Sequence, residues 1–243
     1  MNLLILGANS DVAYATAQQF AAKIKTDLFL ASRDLELLGK KARDLEIRYA
    51  VKVRALAFDA DDPATHQAFY ESLAPSPDGV ITAFGYLGDQ TRAQSNFDEA
   101  RKIIQTNFVG AASILEIVAA DFQRRGKGFI IGISSVAGER GRQSNYFYGA
   151  AKGALSIYLS GLRNRLSKHG VRVITVLPGF VQTKMTQSLS LPGLLTATPD
   201  QAAADIFAAY RKSRDIVYTR WFWRWIMAVI KTIPESLFKR LSL

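Results

Sequence analysis

Short apolar runs alternate along this chain with stretches in which apolar positions return every three or four residues. The first pattern predicts buried strands and the second predicts amphipathic helices. Residues 2–6 form the first apolar run, and from Asp11 to Lys25 the positions Val12, Ala15, Ala17, Phe20 and Ile24 follow helical spacing. A second strand is expected near 27–31, a helix from Asp34 to Arg48, and a third strand from Val51 to Phe58. Asp62-Pro63 sets a capping residue before a proline suited to the first helical position, so a short helix begins there. Val80 to Phe84 is the fourth strand, and a long helix occupies roughly 95–124. Phe129 to Ile133 and Val171 to Leu177 are the fifth and sixth strands, with a helix over 146–168 between them. Thr198-Pro199 opens another helix, which runs to Lys212. Strand and helix in alternation predict an α/β fold, a doubly wound parallel sheet with helices on both faces. No repeat, low-complexity tract or linker interrupts it, so 1–219 reads as a single domain. Such folds take ligands at the carboxyl ends of their strands.

Composition narrows the classes. The 243 residues, 49% hydrophobic and 21% charged, suit one globular domain and not a disordered chain. There is no cysteine, and the two histidines are His66 and His169, so neither a disulfide framework nor a zinc or iron–sulfur centre is expected. Each histidine reads better as a satisfied or surface residue than as a ligand. The net charge of +10 asks for an acidic partner. No basic run with interleaved aromatics occurs before residue 210, which argues against nucleic acid and leaves an anionic membrane surface or a phosphorylated ligand. The opening MNLLILG reads as a strand entering a turn, without a charged region before it or a cleavage site after it. No signal peptide is therefore expected, and the cytoplasm is the expected location.

Candidate chemistry sits at the strand ends. Gly7-Ala8-Asn9-Ser10-Asp11 joins the first strand to the first helix, where free backbone N–H groups suit a pyrophosphate. An ordinary strand-to-helix turn explains the same residues about as well. After the second strand come Ser32, Arg33 and Asp34. An acid at the position of Ser32 would bind ribose hydroxyls and repel a 2′-phosphate. Serine followed by the planar fork of Arg33 instead favours NADPH over NADH. Asp34 could pair with Arg33 or face solvent at the helix start. Tyr148 and Lys152 are one helical turn apart on the same face, Ser135 closes the fifth strand, and Asn107 lies mid-helix, an odd place for asparagine. Alone, a Tyr and Lys at this spacing usually mean a surface pair.

Together, Ile133-Ser134-Ser135-Val136-Ala137-Gly138, Tyr148-Gly149-Ala150-Ala151-Lys152, Asn107 and Pro178-Gly179-Phe180-Val181-Gln182-Thr183 resemble the short-chain dehydrogenase/reductase family over nearly the whole chain. The resemblance implies a Rossmann fold and hydride transfer from a nicotinamide to a ketone. It implies that Tyr148 gives a proton to the carbonyl oxygen, with Ser135 as a second hydrogen-bond donor. It further implies that Lys152 lowers the Tyr148 pKa and holds the nicotinamide ribose, and that Asn107 holds a water feeding protons to Lys152. Cofactor contacts are then expected from Gly7, Asn9, Ser10, Asp11, Ser32, Arg33, Asp59, Gly85, Tyr148, Lys152, Pro178, Gly179, Val181 and Thr183, with Asp59 on the adenine and Thr183 and the Val181 backbone on the carboxamide. Two departures stand out: Asp11 and Ala13 replace glycines of the usual turn, and Thr82-Ala83 replace paired asparagines. A carboxylate beside a pyrophosphate would repel it, so Asp11 is expected to cap the helix and point away.

Three stretches, Ala83–Asp89, Ala137–Arg140 and Ile233–Lys239, resemble a narrower group within the family, the reductases of decaprenylphosphoryl-2-keto-erythro-pentose. That implies a lipid-linked sugar substrate and, as a partner, an oxidase that makes the keto form. Residues 220–243 add Trp221, Phe222, Trp223, Trp225, Ile226, Met227, Val229 and Ile230 beside a stripe of Arg220, Arg224 and Lys231. The pattern predicts an amphipathic helical tail lying on the inner face of a membrane, too short to span it. The rival role for the tail is covering a partner subunit or the substrate pocket. Rival functions are a soluble reductase of a small ketone or 3-oxoacyl thioester and a non-catalytic dinucleotide-binding scaffold. The family resemblance implies a homodimer or homotetramer paired through long helices.

Overall fold

The computed structural model describes residues 1–187 and 192–241. β1 (Asn2–Leu6) leads through a turn into α1 (Asp11–Ile24), followed by β2 (Asp27–Ser32), α2 (Leu35–Tyr49), β3 (Val53–Ala57) and the short α3 (His66–Glu71). β4 (Gly79–Thr82) is followed by α4 (Gln90–Ser95), α5 (Phe97–Ile104), a π-helical turn over Gln105–Val109, and α6 (Gly110–Arg125). β5 (Gly128–Ile133), α7 (Tyr146–Ser167) and β6 (Val171–Pro178) complete the central part. The strands β7 (Phe180–Val181) and β8 (Thr196–Ala197), then α8 (Pro199–Arg211), β9 (Ile216–Thr219), α9 (Trp223–Thr232) and α10 (Glu235–Phe238) finish the chain.

Seven parallel strands form one sheet in the order β3-β2-β1-β4-β5-β6-β9, and β7 and β8 pair separately. Alternate side chains leave opposite faces of a strand, and here each set meets its own helices. Leu3, Ile5, Leu28, Leu30, Ile131 and Ile174 pack with Phe20 of α1, Leu38 of α2 and Ile206 of α8. Leu4, Leu6, Phe29, Val80, Ile130 and Val173 pack with Ile114 and Phe122 of α6 and Leu159 of α7. Because both faces are covered, the central strands read as unbroken apolar runs in the sequence. The order reverses between β2 and β4, the two neighbours of β1, which opens a crevice at their carboxyl ends.

Four expectations need correction. The sheet has a seventh strand, β9, whose residues Ile216–Thr219 lie at an edge and carried too short an apolar signal. The third strand is shorter than Val51–Phe58, because Ala50 ends α2 in a left-handed conformation and Val51 and Lys52 are spent on the connection. The long helix starts at Phe97 with a separate α4 before it, since Asn96 leaves helical geometry and caps α5 by accepting from the Asp98 N–H at 3.0 Å. The tail docks on the domain: Trp223 and Met227 are 3% and 0% exposed and pack with Val136 and Leu177. Its other face stays open, with Trp221, Trp225 and Val229 at 70%, 62% and 65% exposure. One described helix, Phe97–Arg125, is long and apolar enough to cross a membrane, but it buries Ile114, Leu115, Val118 and Phe122 in the core.

Candidate active site

A cleft of about 370 Å³ opens at the carboxyl ends of β1, β2 and β4 to β6. At its floor the first turn needs glycine. Gly7 has φ +79°, and a Cβ there would come within 2.5 Å of the Phe84 backbone nitrogen. The turn is tied to β2 by Gly7 N–H to Ala31 O at 2.8 Å. Ser10, not Asp11, caps α1, accepting from Ala13 N–H at 3.4 Å. Asp11, already inside the helix, reaches across the cleft and accepts the Lys184 N–H at 2.9 Å. It therefore clasps the segment after β7 to α1. Asn9 gives its amide to Asp34 O at 2.8 Å, while its Oδ1 is buried and has no partner among the described residues.

The second edge of the cleft carries Ser32 and Arg33. Asp34 is free of the pairing with Arg33, because it caps α2 by accepting from Leu37 N–H at 3.0 Å. Arg33 instead faces Asp61 at 3.7 Å with its side chain two-thirds exposed. Asp61 also accepts the Thr106 hydroxyl at 2.6 Å. Asp59 lines the same edge, with one carboxylate oxygen taken by the Asp61 N–H at 3.0 Å. Sequence reading missed Asp61, since three acids follow β3 within four positions and only the folded loop separates their roles. His66 is fully buried between Ser113 Oγ and Asp59 O, both at 2.9 Å, as a satisfied core residue.

At the far end, Ser135, Tyr148 and Lys152 line the cleft together with Gly85, Pro178, Gly179, Val181 and Thr183. Ser135 leaves β5 in extended geometry and caps the next turn, accepting from Ala137 N–H at 3.1 Å. Tyr148 and Lys152 project from the first turns of α7, with Lys152 Nζ 5.8 Å from the tyrosine ring centre. Lys152 is 3% exposed and donates to Ile133 O at 3.1 Å. Burial pushes its ammonium down to about 8. Burial also pushes the Tyr148 phenol up to about 12, with Ser135 pulling weakly the other way. The expected lowering of Tyr148 by Lys152 does not appear: desolvation leads both shifts, and Ser135 is the group that pulls the phenol down.

Asn107 is the catalytic candidate that does not line the cleft. It lies in the π turn, 1% exposed, and donates to Tyr86 O at 2.6 Å and Ile103 O at 2.8 Å while accepting from Tyr86 N–H at 3.2 Å. One amide hydrogen and the Oδ1 thus fix the segment that carries Gly85, and the other hydrogen returns to Asn107's own helix at Ile103. The Tyr86 hydroxyl is held in turn by Glu99 at 2.7 Å. Beyond β7, Val181 O accepts the Thr186 hydroxyl at 2.7 Å, and Thr183 and Thr186 form a reciprocal cap. Lys184, Met185 and Thr186 also line the cleft; no spacing signal in the sequence singled them out.

The donor set suits a dinucleotide. A glycine cradle, the free N–H groups of a helix start and the unpartnered Asn9 Oδ1 stand at one end, and an acid–base pair at the other. Comparison with known proteins agrees with this geometry. A family model described as short chain dehydrogenase matches residues 1–192. An uncharacterized oxidoreductase of Mycobacterium tuberculosis is 34% identical over 242 residues, covering 98% of this chain and 96% of that one. An NADP-dependent 3-hydroxy acid dehydrogenase of Schizosaccharomyces pombe is 31% identical over 188 residues, 76% of this chain and 73% of that one. A Sphingobium yanoikuyae short-chain dehydrogenase solved in complex with NADPH superposes with a TM-score of 0.83 over 97% of each chain at 23% identity, a likeness of fold.

Proposed function

The chain belongs to the short-chain dehydrogenase family of oxidoreductases, and on that premise we propose that it reduces a ketone with NADPH. The observation that carries this reading is the meeting of Ser135, Tyr148 and Lys152 with the Gly7 turn in one cleft. Residues Gly7, Asn9, Ser10 and the backbone of Asp11, whose carboxylate is held by the Lys184 N–H, would border the pyrophosphate, Ser32 and Arg33 the 2′-phosphate, Asp59 the adenine, and Gly85, Pro178, Gly179, Val181 and Thr183 the nicotinamide half. The unacidic end of β2, the cation of Arg33 and the NADP-dependent relative support NADPH over NADH. Bound there, the cofactor supplies the hydride. A phenol held near 12 stays protonated at neutral pH, the state required of the group that gives its proton to the carbonyl oxygen. Ser135 shares the negative charge that grows on that oxygen. Lys152, near 8, exchanges a proton readily at neutral pH and would restore it to the tyrosine. Asn107 acts as a positioning residue for the Gly85 segment.

For the substrate, we propose a lipid-linked 2-keto sugar phosphate. Support comes from the docked tail, which brings Ile233–Phe238 against Arg140, and from the tail's exposed tryptophans. A small ketone or a 3-oxoacyl thioester is the alternative. Loss of NADPH absorbance on addition of matched ketones tests the reaction. Tyr148→Phe is expected to lower turnover at least about a hundredfold while calorimetric NADPH affinity stays within about twofold. A Phe variant with wild-type turnover would remove the tyrosine from the mechanism. Binding of NADPH without reduction of any carbonyl would favour a non-catalytic scaffold.

A further inference from the structure

Resting on the reading of this cleft as a ketone reductase, we infer that Arg142 receives an anionic group of the substrate, a carboxylate or a phosphate. Arg142 lies in the loop between the turn after Ser135 and the start of α7, so the chain on both sides of it leads directly to a catalytic candidate. Its neighbour Arg140 shows what a satisfied guanidinium looks like here. Arg140 donates to Ile230 O at 2.6 Å and Ile233 O at 2.7 Å, pairs with Glu235 at 3.0 Å, and stacks on Phe238 at 3.7 Å. It is the clamp that fastens the tail.

Arg142 has none of this. Among the described residues no carboxylate lies within 4.0 Å of it, and its one hydrogen-bond acceptor is the Met227 sulfur at 3.4 Å, a weak one. Its Nε is buried without a partner. Desolvation holds its guanidinium below the ordinary arginine range, with no acid nearby to offset it. Two more buried polar atoms in the same region are unsatisfied, Gln90 Nε2 and Asn145 Oδ1. These groups are linked by the backbone: Asn145 N–H bonds Arg142 O at 3.2 Å, and Gln90 Oε1 accepts the Phe147 N–H at 3.2 Å, one residue before Tyr148. Met227 in turn belongs to the apolar patch of Val136, the neighbour of Ser135. A partly buried cation without a counter-charge is costly unless something supplies the anion. The chain's charge of +10 favours the approach of such an anion.

The test uses the full chain saturated with NADP, so that the cofactor's own phosphate contacts are filled. Phenyl phosphate, benzoate and benzyl alcohol are titrated calorimetrically into wild type, Arg142→Gln and Arg142→Lys. In parallel, NADPH oxidation is followed with a 3-oxo acid against its ethyl ester and with a ketose phosphate against the free ketose. Wild type is expected to bind at least one anion and not the alcohol. Arg142→Gln should weaken that binding by about tenfold or more, the scale of a charge-assisted hydrogen bond, and Arg142→Lys by less. Which anion binds separates a carboxylate from a phosphate substrate. In turnover the loss should fall on KM for the charged member of a pair, with the neutral member unchanged. Equal effects of Arg142→Gln on charged and neutral ligands, or no anion binding by wild type, would overturn the proposal. Anion binding through Arg142 with no ketone reduced would leave the site standing and remove the ketone reading.

Discussion

Burial of Lys152 to 3% exposure takes its ammonium from the ordinary lysine value of 10.5 down to about 8. Between those two values the unfolded chain binds more protons than the folded one, so this group makes stability rise with pH across that window. Below about 8 the full penalty is present, up to about 3 kcal/mol from a shift of this size. Lys152→Met keeps the length of the side chain and removes the charge. It is therefore expected to raise urea resistance of the cofactor-free protein near pH 7, with the gain shrinking as pH climbs towards about 10. The lost bond to Ile133 O offsets part of it. A difference from wild type that does not change with pH would mean that burial is not what depresses the lysine. The catalytic role proposed for Lys152 and the folding of the chain thus make opposite demands on one ammonium.

Elements place these residues with contacts that local patterning does not encode. The π turn at Gln105–Val109 faces Asn107 inward onto Tyr86, and the Asp11 carboxylate bridges α1 to the segment after β7. The tail is the clearest case. One face of α9 is committed to the domain: Trp223 lies against Gly179, where a Cβ would come within 2.0 Å of its indole, and Glu139 pairs with Lys231 at 2.6 Å. Deleting the tail would uncover Val136 and Leu177 and so confuse attachment with unfolding. Substituting only the open face avoids this. Trp221→Ser with Trp225→Ser is expected to abolish sedimentation with anionic phosphatidylglycerol vesicles while leaving the melting temperature within a few degrees of wild type. High salt should release the wild type only in part, because buried apolar area contributes about 25 cal/mol per Å². If wild type ignores such vesicles, the exposed tryptophans belong to another surface.

Across the whole molecule, the strand order decides where chemistry happens. Helices cross to opposite faces on either side of β1, leaving the crevice that the Gly7 turn and the β5 and β6 ends share. The outer surface carries a second consequence. Ile157 on α7 is 76% exposed and Val109, at the head of α6, is 38% exposed, so the long helices present apolar side chains to solvent. A homodimer or homotetramer paired through long helices, as the family resemblance implies, would use this surface. Ile157→Glu is expected to shift the protein towards monomer in analytical ultracentrifugation without altering its circular dichroism. An unchanged sedimentation coefficient would exclude α7 from the contact.

Much of this was legible in the residues alone. Alternating apolar runs and helical stripes specified the doubly wound sheet, because burial of both sheet faces imposes those periods on any sequence that adopts it. Ser135, Tyr148 and Lys152 were legible through the family resemblance of their whole motif set, because a Tyr and a Lys one helical turn apart more often mark a surface pair. What the folded chain decided involves partners distant in sequence. Asp11 meets Lys184 across 173 positions, Asp61 stands between Arg33 and Thr106, and Trp223 packs on Gly179. The ionisation of the catalytic pair reversed an expectation for the same reason. Spacing tells that Lys152 lies near Tyr148, but only the packing around them sets the desolvation that shifts both groups.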